Sequence, residues 1–208
     1  MSAAAPGKLR ARNLRTLAAL AALFLLPLAL AFFTYYGTGW RPGTHVNHGQ
    51  LITPARPLPA VALPALGGTG VATGRTPGPQ APPFRRRWSL VYVGGGGCDA
   101  DCREALYAMR QTRLALNNDM TRVERVFLAS DACCDLAFLA REHTGLRVLD
   151  ASGPAARPLL ARFPAAGREH MLFIVDPLGN LMMSYDARTG PRGLLEDLKK
   201  LLALSHVG

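Results

Sequence analysis

The stretch from Trp88 to Asn117, WSLVYVGGGGCDADCREALYAMRQTRLALN, decides the fold of this chain. Its first six residues are mostly apolar and rich in β-formers, which predicts a buried strand. Four glycines then form a turn, and apolar side chains recur at helical spacing from Asp101 onwards. The stretch therefore predicts a strand, a tight turn and a helix, with Cys98 at the end of the strand and Cys102 in the first turn of the helix.

Alternating strands and helices are predicted as far as the C-terminus. A turn at residues 176–180, DPLGN, joins the last two strands into a hairpin. The element order, β-α-β-α-β-α-β-β-α, is that of thioredoxin. We therefore predict an α/β fold for residues 85–208, a thioredoxin-like domain with a central mixed β-sheet flanked by helices. The further strands are predicted at Val123–Ala129, Leu146–Leu149, Met171–Val175 and Leu181–Tyr185. The further helices are predicted at Asp135–His143, at Ala155–Phe163 with a break at Pro158, and at Leu194–Leu204.

The formal net charge of +10 comes entirely from residues 1–98. This part contains ten lysines and arginines and no acidic residue, whereas residues 99–208 contain fourteen charges of each sign. A nucleic-acid-binding protein is expected to carry its basic patch on the folded domain. The balanced domain therefore predicts no nucleic-acid partner, and no motif indicates a small-molecule substrate.

Residues 16–36, TLAALAALFLLPLALAFFTYY, are predicted to form a transmembrane helix. These 21 uncharged residues are enough to cross a hydrocarbon core of about 30 Å. Four basic residues precede the stretch, and only Arg41 follows it closely. By the positive-inside rule, residues 1–15 form a cytoplasmic basic tail and the rest of the chain is exported. A cleaved signal peptide is the alternative, but bulky aromatic residues occupy the positions where small residues precede a cleavage site.

Between the membrane stretch and the predicted domain lies a segment rich in glycine and proline, residues 37–84. Most of this segment has few side chains to bury and is predicted to be a linker. Residues 50–63, QLITPARPLPAVAL, are more apolar than the rest. They are a candidate edge strand, because prolines are tolerated at the edge of a sheet.

Cys98 and Cys102 lie four residues apart, where the predicted strand passes into the helix. Residues at this spacing share one helix face, so the two sulfurs can close a disulfide or bind one metal ion. The helix N-terminus favours the thiolate form, while Asp99 and Asp101 oppose it through their negative charge. The pair can thus be a redox centre, a metal site or a packed structural pair. If it is redox-active, the catalytic residues are Cys98 and Cys102.

The chain resembles the Sco copper-chaperone family, which serves assembly of the copper site of cytochrome c oxidase. Sco proteins combine one membrane anchor with a thioredoxin-like domain, and they bind copper through a C-x₃-C pair and one distant histidine. That histidine precedes an I/L-D-P-x-G turn, and here His170 opens HMLFIVDPLGN. The resemblance runs from Trp88 to the C-terminus and implies that Cys98, Cys102 and His170 are copper ligands. Thiolates suit Cu(I), and imidazole also accommodates Cu(II).

The resemblance also implies a partner and a location. The partner is the copper-site subunit of cytochrome c oxidase, and the chain assists copper delivery to the oxidase or its assembly. In a Gram-negative host the chain is a single-pass protein of the inner (cytoplasmic) membrane, with a cytoplasmic N-terminus and a periplasmic domain. Such a metallochaperone is not an enzyme. Two alternatives stay open, a thiol–disulfide oxidoreductase that reduces copper-site cysteines and a non-catalytic assembly partner.

The chain departs from the Sco pattern in ways that indicate a divergent member. Arg103 follows the second cysteine where Sco proteins have proline, and Glu169 precedes His170 where they usually have aspartate. Cys133 and Cys134 stand where they have an acidic-proline segment. Adjacent cysteines rarely pair with each other because the small ring is strained. These two can accept a disulfide from the first pair, form a second redox pair, or pack as small apolar side chains.

Overall fold

The computed structural model describes residues 6–37, 47–66 and 83–205. The chain divides into two units, Met1–His45 and Val46–Gly208, and each is described by itself. The first five residues of the predicted basic tail lie outside the described residues. So do two parts of the predicted linker, residues 38–46 and 67–82, and the last three residues of the chain.

The N-terminal unit is built on one long apolar helix. Helix α1 spans Pro6–Phe32 and continues into a π-helical turn, Phe33–Gly37. The 26 residues Arg12–Gly37 reach a mean hydropathy of 2.4, and none of this apolar stretch is buried against protein. By length and composition, the helix is therefore able to cross a membrane.

The second unit contains a seven-stranded mixed sheet in the order β1-β7-β6-β3-β4-β5-β2. The neighbouring strands β3, β4 and β5 are parallel, whereas every other pairing is antiparallel. In the hairpin between the last two strands, Asp176 Oδ1 accepts hydrogen bonds from the amides of Leu178 and Asn180 at 2.9 and 2.8 Å. The strands are β1 (Gln50–Pro57), β2 (Ala65–Leu66), β3 (Trp88–Gly94), β4 (Val123–Ala129), β5 (Leu146–Asp150), β6 (Met171–Val175) and β7 (Asn180–Asp186).

Strand β3 is buried along its whole length because both faces of the sheet are covered. Successive strand residues point to opposite faces. Leu90 and Tyr92 join the core beneath α2, α3 and α5, while Val91 and Val93 join a second core with α4 and apolar residues outside the helices, such as Phe84. The helices are α2 (Ala100–Ala115), α3 (Leu136–Glu142), α4 (Arg157–Leu160) and α5 (Pro191–Leu204), with 3-10 turns at Asn117–Arg122, Pro154–Ala156, Arg168–His170 and Ala187–Thr189.

The predicted α/β architecture, a central mixed sheet flanked by helices, is confirmed. The helix expected over residues 155–163 is shorter than predicted, because a 3-10 turn occupies Pro154–Ala156 and α4 covers only Arg157–Leu160. Pro158 lacks an amide hydrogen, and its fixed φ suits the first turn of a helix. It therefore fits the first turn of α4 and cannot continue a helix from upstream.

The buried carboxylate of Asp197, on α5, accepts hydrogen bonds from the segment that precedes β1. Asp197 Oδ2 accepts hydrogen bonds from His48 N at 2.6 Å, from Gly49 N at 3.1 Å and from the Tyr185 hydroxyl. The ring of His48 contacts Glu196 Oε2 at 2.8 Å. The start of β1 is thus bonded to a helix about 150 residues later in the chain.

Candidate functional site

Cys98 and Cys102 meet at the C-terminal end of the central strand β3. The glycine loop after β3 leads into Cys98, whose φ of 41° lies in the left-handed region, and Cys102 lies in the first turn of α2. Their Cα atoms are 5.0 Å apart, and the structure joins the two sulfurs in a disulfide. Cys98 is 8% exposed and Cys102 1% exposed. The sulfur pair is therefore nearly enclosed, with Cys98 the more accessible member.

Asp99 caps helix α2 between the two cysteines. Its Oδ1 accepts a hydrogen bond from Cys102 N at 3.0 Å. This carboxylate uses one of the free amides that would otherwise stabilise a thiolate at the helix N-terminus. Burial, and then the charges of Asp99, Asp101 and Glu169, raise the pKa of the Tyr92 phenol well above its usual value. The surroundings of the cysteine pair are thus locally acidic.

His170 ends the 3-10 turn Arg168–His170, which leads into β6. Its side chain is 18% exposed, and its Nδ1 lies 3.6 Å from Glu169 Oε1. Gly167 precedes the turn with a φ of 65°, and a Cβ there would lie 2.9 Å from His170 Nε2. The glycine therefore permits both the left-handed backbone and the close approach of the imidazole ring.

The turn that carries His170 packs against α2, the helix that carries Cys102. Tyr92 connects the two regions, since its hydroxyl donates to Glu169 O at 2.7 Å and its ring lies in the same core cluster as both cysteines. The start of α2 and the histidine turn therefore share one buried neighbour.

The three predicted copper ligands do not form a ready metal site in this disulfide form. Within the part of the chain that the structure describes, no three His, Cys, Asp or Glu side chains are arranged to hold a metal ion. The metal ligand is a thiolate, so copper binding requires reduction of the pair. Two soft sulfurs and an imidazole match Cu(I) in chemistry. Cys98, Cys102 and His170 therefore stay a predicted ligand set.

Cys133 and Cys134 lie half-buried in the loop between β4 and α3. Their Sγ atoms are in contact. A Cβ built on Gly96 would lie 2.0 Å from Ala132 O and 2.5 Å from Cys133 Cα. The glycine loop before Cys98 thus touches the backbone that carries the second cysteine pair.

The Gly96→Ala variant is expected to lower the free energy of unfolding by about 2 kcal/mol, because the methyl group collides with backbone atoms. Gly97→Ala is the matched control. A Cβ at Gly97 meets nothing within 4 Å, and we expect a change below about 0.5 kcal/mol. Chemical denaturation of the full chain in detergent, followed by tryptophan fluorescence, measures both. Equal stability of the two variants would contradict the close packing of the loops.

The Tyr92→Phe variant is expected to loosen the turn Arg168–His170, because it removes the hydrogen bond to Glu169 O and keeps the ring. The expected cost is about 1 kcal/mol, with faster amide exchange in the turn, measured by hydrogen–deuterium exchange and mass spectrometry. Tyr107→Phe, an exposed position on α2, is the control and should change neither quantity. Unchanged exchange in the Tyr92 variant would show that the hydroxyl does not hold the turn.

Two polar side chains that hold these loops, Tyr92 and Asp131, have no signal in the sequence that reveals this role. The Tyr92 hydroxyl reaches Glu169 O across 77 residues, and Asp131 Oδ1 accepts a hydrogen bond from Gly96 N across 35 residues. Strand alternation indicates which face Tyr92 occupies, but tertiary structure alone sets the partner of its hydroxyl. The helix cap Asp99 did have a readable signal, an aspartate directly before a helical pattern.

A thioredoxin-like sheet with an enclosed cysteine pair at the start of a helix defines a protein of the thioredoxin-fold class. In this chain the domain follows an N-terminal apolar helix that is long enough to cross a membrane. The chain belongs to the family described as transmembrane-like, thioredoxin-like, C-terminal domain, whose model matches residues 88–205. A search of curated proteins finds no significant match.

Solved structures of Sco proteins share this fold, which confirms the structural side of the resemblance. The solution structure of apo Sco1 from Thermus thermophilus matches with a TM-score of 0.54 and 19% identity, over 76% of this chain and 99% of that chain. Yeast Sco1 with copper bound matches with a TM-score of 0.51 and 12% identity, over 59% and 82%. The crystal structure of yeast Sco1 gives 0.50 and 12%, over 59% and 83%. At these identities the similarity shows the fold.

Proposed function

We propose that this chain is a membrane-anchored, Sco-like copper chaperone that assists copper delivery to, or assembly of, cytochrome c oxidase. Copper is its cargo, held by the thiolates of Cys98 and Cys102 and by the imidazole of His170. The copper-site subunit of the oxidase is the partner that receives the metal.

The observation that carries this proposal is the placement of the three residues around one helix. Cys98 and Cys102 flank the start of α2, and His170 ends a turn that packs against α2. With Cα atoms 5.0 Å apart, the two cysteines can both reach one ion once their bond is broken. Copper-bound yeast Sco1 has the same fold, which supports the proposal.

Copper loading begins with reduction of the Cys98–Cys102 disulfide. An external dithiol supplies two electrons and two protons, closes to a disulfide itself and leaves two thiols on this chain. Each thiol releases its proton as it binds Cu(I) as a thiolate. His170 binds as the neutral imidazole, through a ring nitrogen.

The location follows from the anchor. In this proposal, the four basic residues before the apolar stretch of α1 keep the N-terminus in the cytoplasm. The domain that carries the cysteines then lies on the far side of the inner membrane, in the periplasm of a Gram-negative host. An oxidising compartment of this kind explains why the pair needs a reductant before it binds copper.

Anaerobic Cu(I) titration of the reduced full chain in detergent tests the proposal. In competition with a colorimetric Cu(I) chelator, the chain is expected to bind about one copper ion. The double variant Cys133→Ser/Cys134→Ser keeps the proposed ligands and should bind the same amount. A fully reduced, folded chain that stays free of copper would overturn the proposal.

The disulfide favours a second candidate, a thiol–disulfide oxidoreductase that reduces the cysteines of a copper-site protein. The Cys98 thiolate would attack the substrate disulfide, and Cys102 would then displace the substrate as a dithiol and close the disulfide of this chain. His170 has no part in these steps. A His170→Ala variant that binds no copper but reduces the copper-site protein at the wild-type rate would assign the chain to this second function.

A further inference from the structure

The segments that follow β3 and β4 carry the two cysteine pairs and lie at the same end of the sheet. Strands β3 and β4 are adjacent and parallel, and Gly94 pairs with Ala129 at their ends, so the following loops leave side by side. We propose that Cys133 and Cys134 form a second dithiol that exchanges a disulfide with Cys98 and Cys102. The chemistry of this relay does not depend on the proposed function. Only its purpose, which is to keep Cys98 and Cys102 reduced for copper binding, rests on that function.

Hydrogen bonds fix the two loops against each other. Ser130 N and Ser130 Oγ both donate to Gly94 O, at 2.9 and 3.1 Å, and Gly96 N donates to Asp131 Oδ1. Gly96 adds a direct contact, because a Cβ there would lie 2.5 Å from Cys133 Cα. The second pair is thus held against the loop that leads directly into the first.

The two pairs share an apolar environment and differ in accessibility. Cys98 and Cys102 belong to the core cluster beneath α2, and Cys133 and Cys134 pack against the same cluster while staying half-buried. Cys102 is almost fully enclosed, so an external dithiol reaches the second pair more easily than the first. An accessible pair beside an enclosed pair is what an internal relay requires.

The exchange is balanced in atoms and electrons. A thiolate of the second pair attacks the sulfur of Cys98, the Cys98–Cys102 bond breaks, and Cys102 leaves as a thiolate. The neighbouring thiolate then attacks the mixed disulfide, displaces Cys98 as a thiolate and closes the second pair. Two electrons pass to the first pair, and the two protons of the second dithiol pass to the two new thiolates. An external dithiol then reduces the second pair again.

Trapping experiments test whether the pairs can react. Four variants of the full chain in detergent, made with serine substitutions, each keep one cysteine of each pair. After mild oxidation, peptide mapping by mass spectrometry is expected to find an intramolecular cross-pair disulfide in at least one variant. A variant that keeps Cys98 and carries Thr121→Cys, before the opposite end of β4, is the negative control. Absence of the cross-pair disulfide from all four folded variants would overturn the relay.

A kinetic experiment tests whether the relay carries electrons. In the Cys133→Ser/Cys134→Ser variant, a protein dithiol is expected to reduce the Cys98–Cys102 disulfide at least about tenfold more slowly than in wild type. An unchanged rate would overturn the relay. The same variant should bind copper normally after chemical reduction. The proposal of copper binding and the proposal of an electron relay can therefore be contradicted independently of each other.

A second inference concerns Arg125, a buried cation on β4 with free hydrogen-bonding capacity. Arg125 is 3% exposed, and its Nη2 donates to Thr144 O at 2.6 Å. Its Nε and Nη1 are also buried and have no hydrogen-bond partner among the described residues. Buried donors of this kind are costly unless water or a ligand accepts from them.

Arg125 lines a cleft of about 170 Å³ together with Arg110, Arg113, Leu114, Glu142 and Thr144. Burial, and then the charges of Arg113 and Arg110, lower the pKa of Arg125 to about 10, so it stays charged at neutral pH. Glu142, the carboxylate in this lining, is paired with Arg141 at 3.0 Å. We infer that the cleft binds a small oxyanion, a phosphate or a carboxylate, which accepts hydrogen bonds from the free N–H groups of Arg125.

Calorimetric titration of the full chain in detergent with inorganic phosphate, and separately with acetate, tests this site at constant ionic strength. We expect saturable binding of at least one anion, and the tighter one identifies the class. Arg110→Gln, which leaves Arg125 in place, is expected to weaken binding at least about tenfold. Arg192→Gln, an exposed position on α5, should leave it unchanged. No binding of either anion, or equal affinity in wild type and Arg110→Gln, would overturn the inference.

Discussion

Replacing Cys102 with serine is expected to abolish stoichiometric copper binding and to lower the affinity for Cu(I) at least about a hundredfold. Cys102 is enclosed, and its amide donates a hydrogen bond to Asp99. Because serine keeps this amide, the substitution exchanges the ligand atom, sulfur for oxygen, and is not expected to move the backbone. A serine hydroxyl is a hard donor and is not ionised at neutral pH. The soft ion therefore loses one of two thiolates and gains no comparable ligand.

The proposed ligand set makes three further variants informative in the same competition titration. Cys98→Ser is expected to match Cys102→Ser, and His170→Ala is expected to lose about tenfold or more, because one imidazole is removed and both thiolates remain. The matched control is Cys133→Ser/Cys134→Ser, which changes two cysteines outside the ligand set. Wild-type affinity in the Cys102 variant would contradict the copper assignment even if the fold and the anchor stand.

The central elements of the fold could be predicted because their signals are local. Strand β3 is a continuous apolar run, α2 begins after an aspartate cap, and α5 begins at Pro191. Strand β1 has a weaker signal, in which the prolines of residues 50–63 indicate an edge strand but not its partner. It is mostly exposed and contains prolines, and it pairs with β7, far away in sequence. Pairing between strands that are far apart in sequence is set by tertiary packing, which local sequence patterns do not reveal.

In the candidate site, too, the local features could be predicted from the sequence and the contacts between distant segments could not. The spacing of Cys98 and Cys102 predicts that their sulfurs can meet, and the DPLGN turn draws attention to His170. Neither pattern shows that the loop after β4 packs against Gly96, or that the Tyr92 hydroxyl reaches the histidine turn. These contacts depend on which strands become neighbours in the sheet. The parallel pairing of β3 and β4 is what brings the second cysteine pair beside the first.

Replacing Asp197 with alanine is expected to lower the free energy of unfolding by about 3 kcal/mol. Asp197 is 3% exposed and accepts hydrogen bonds from the amides of His48 and Gly49 and from the Tyr185 hydroxyl. Alanine leaves these donors without an acceptor in a place that water reaches poorly. Because the amides belong to the segment that enters β1, the loss should also appear as faster hydrogen exchange at residues 48–57.

The effect of Asp197→Ala should depend on pH in a defined direction. Burial tends to raise the pKa of Asp197, but hydrogen bonds from the Tyr185 hydroxyl and from the Gly49 and His48 amides outweigh burial, so the pKa in the folded state is lowered. The carboxylate therefore stabilises the fold above the pKa of an unfolded aspartate, about 4, and this stabilisation is lost as the pH falls through the folded value. Denaturation curves should accordingly show the full difference between variant and wild type at pH 7 and a smaller one below about pH 4. Glu196→Ala on the same helix is the matched control, because its carboxylate is exposed and its ion pairs are expected to contribute little to stability. An Asp197 variant as stable as the Glu196 variant at pH 7 would mean that β1 is held at the edge of the sheet by its strand pairing with β7 and not by this carboxylate.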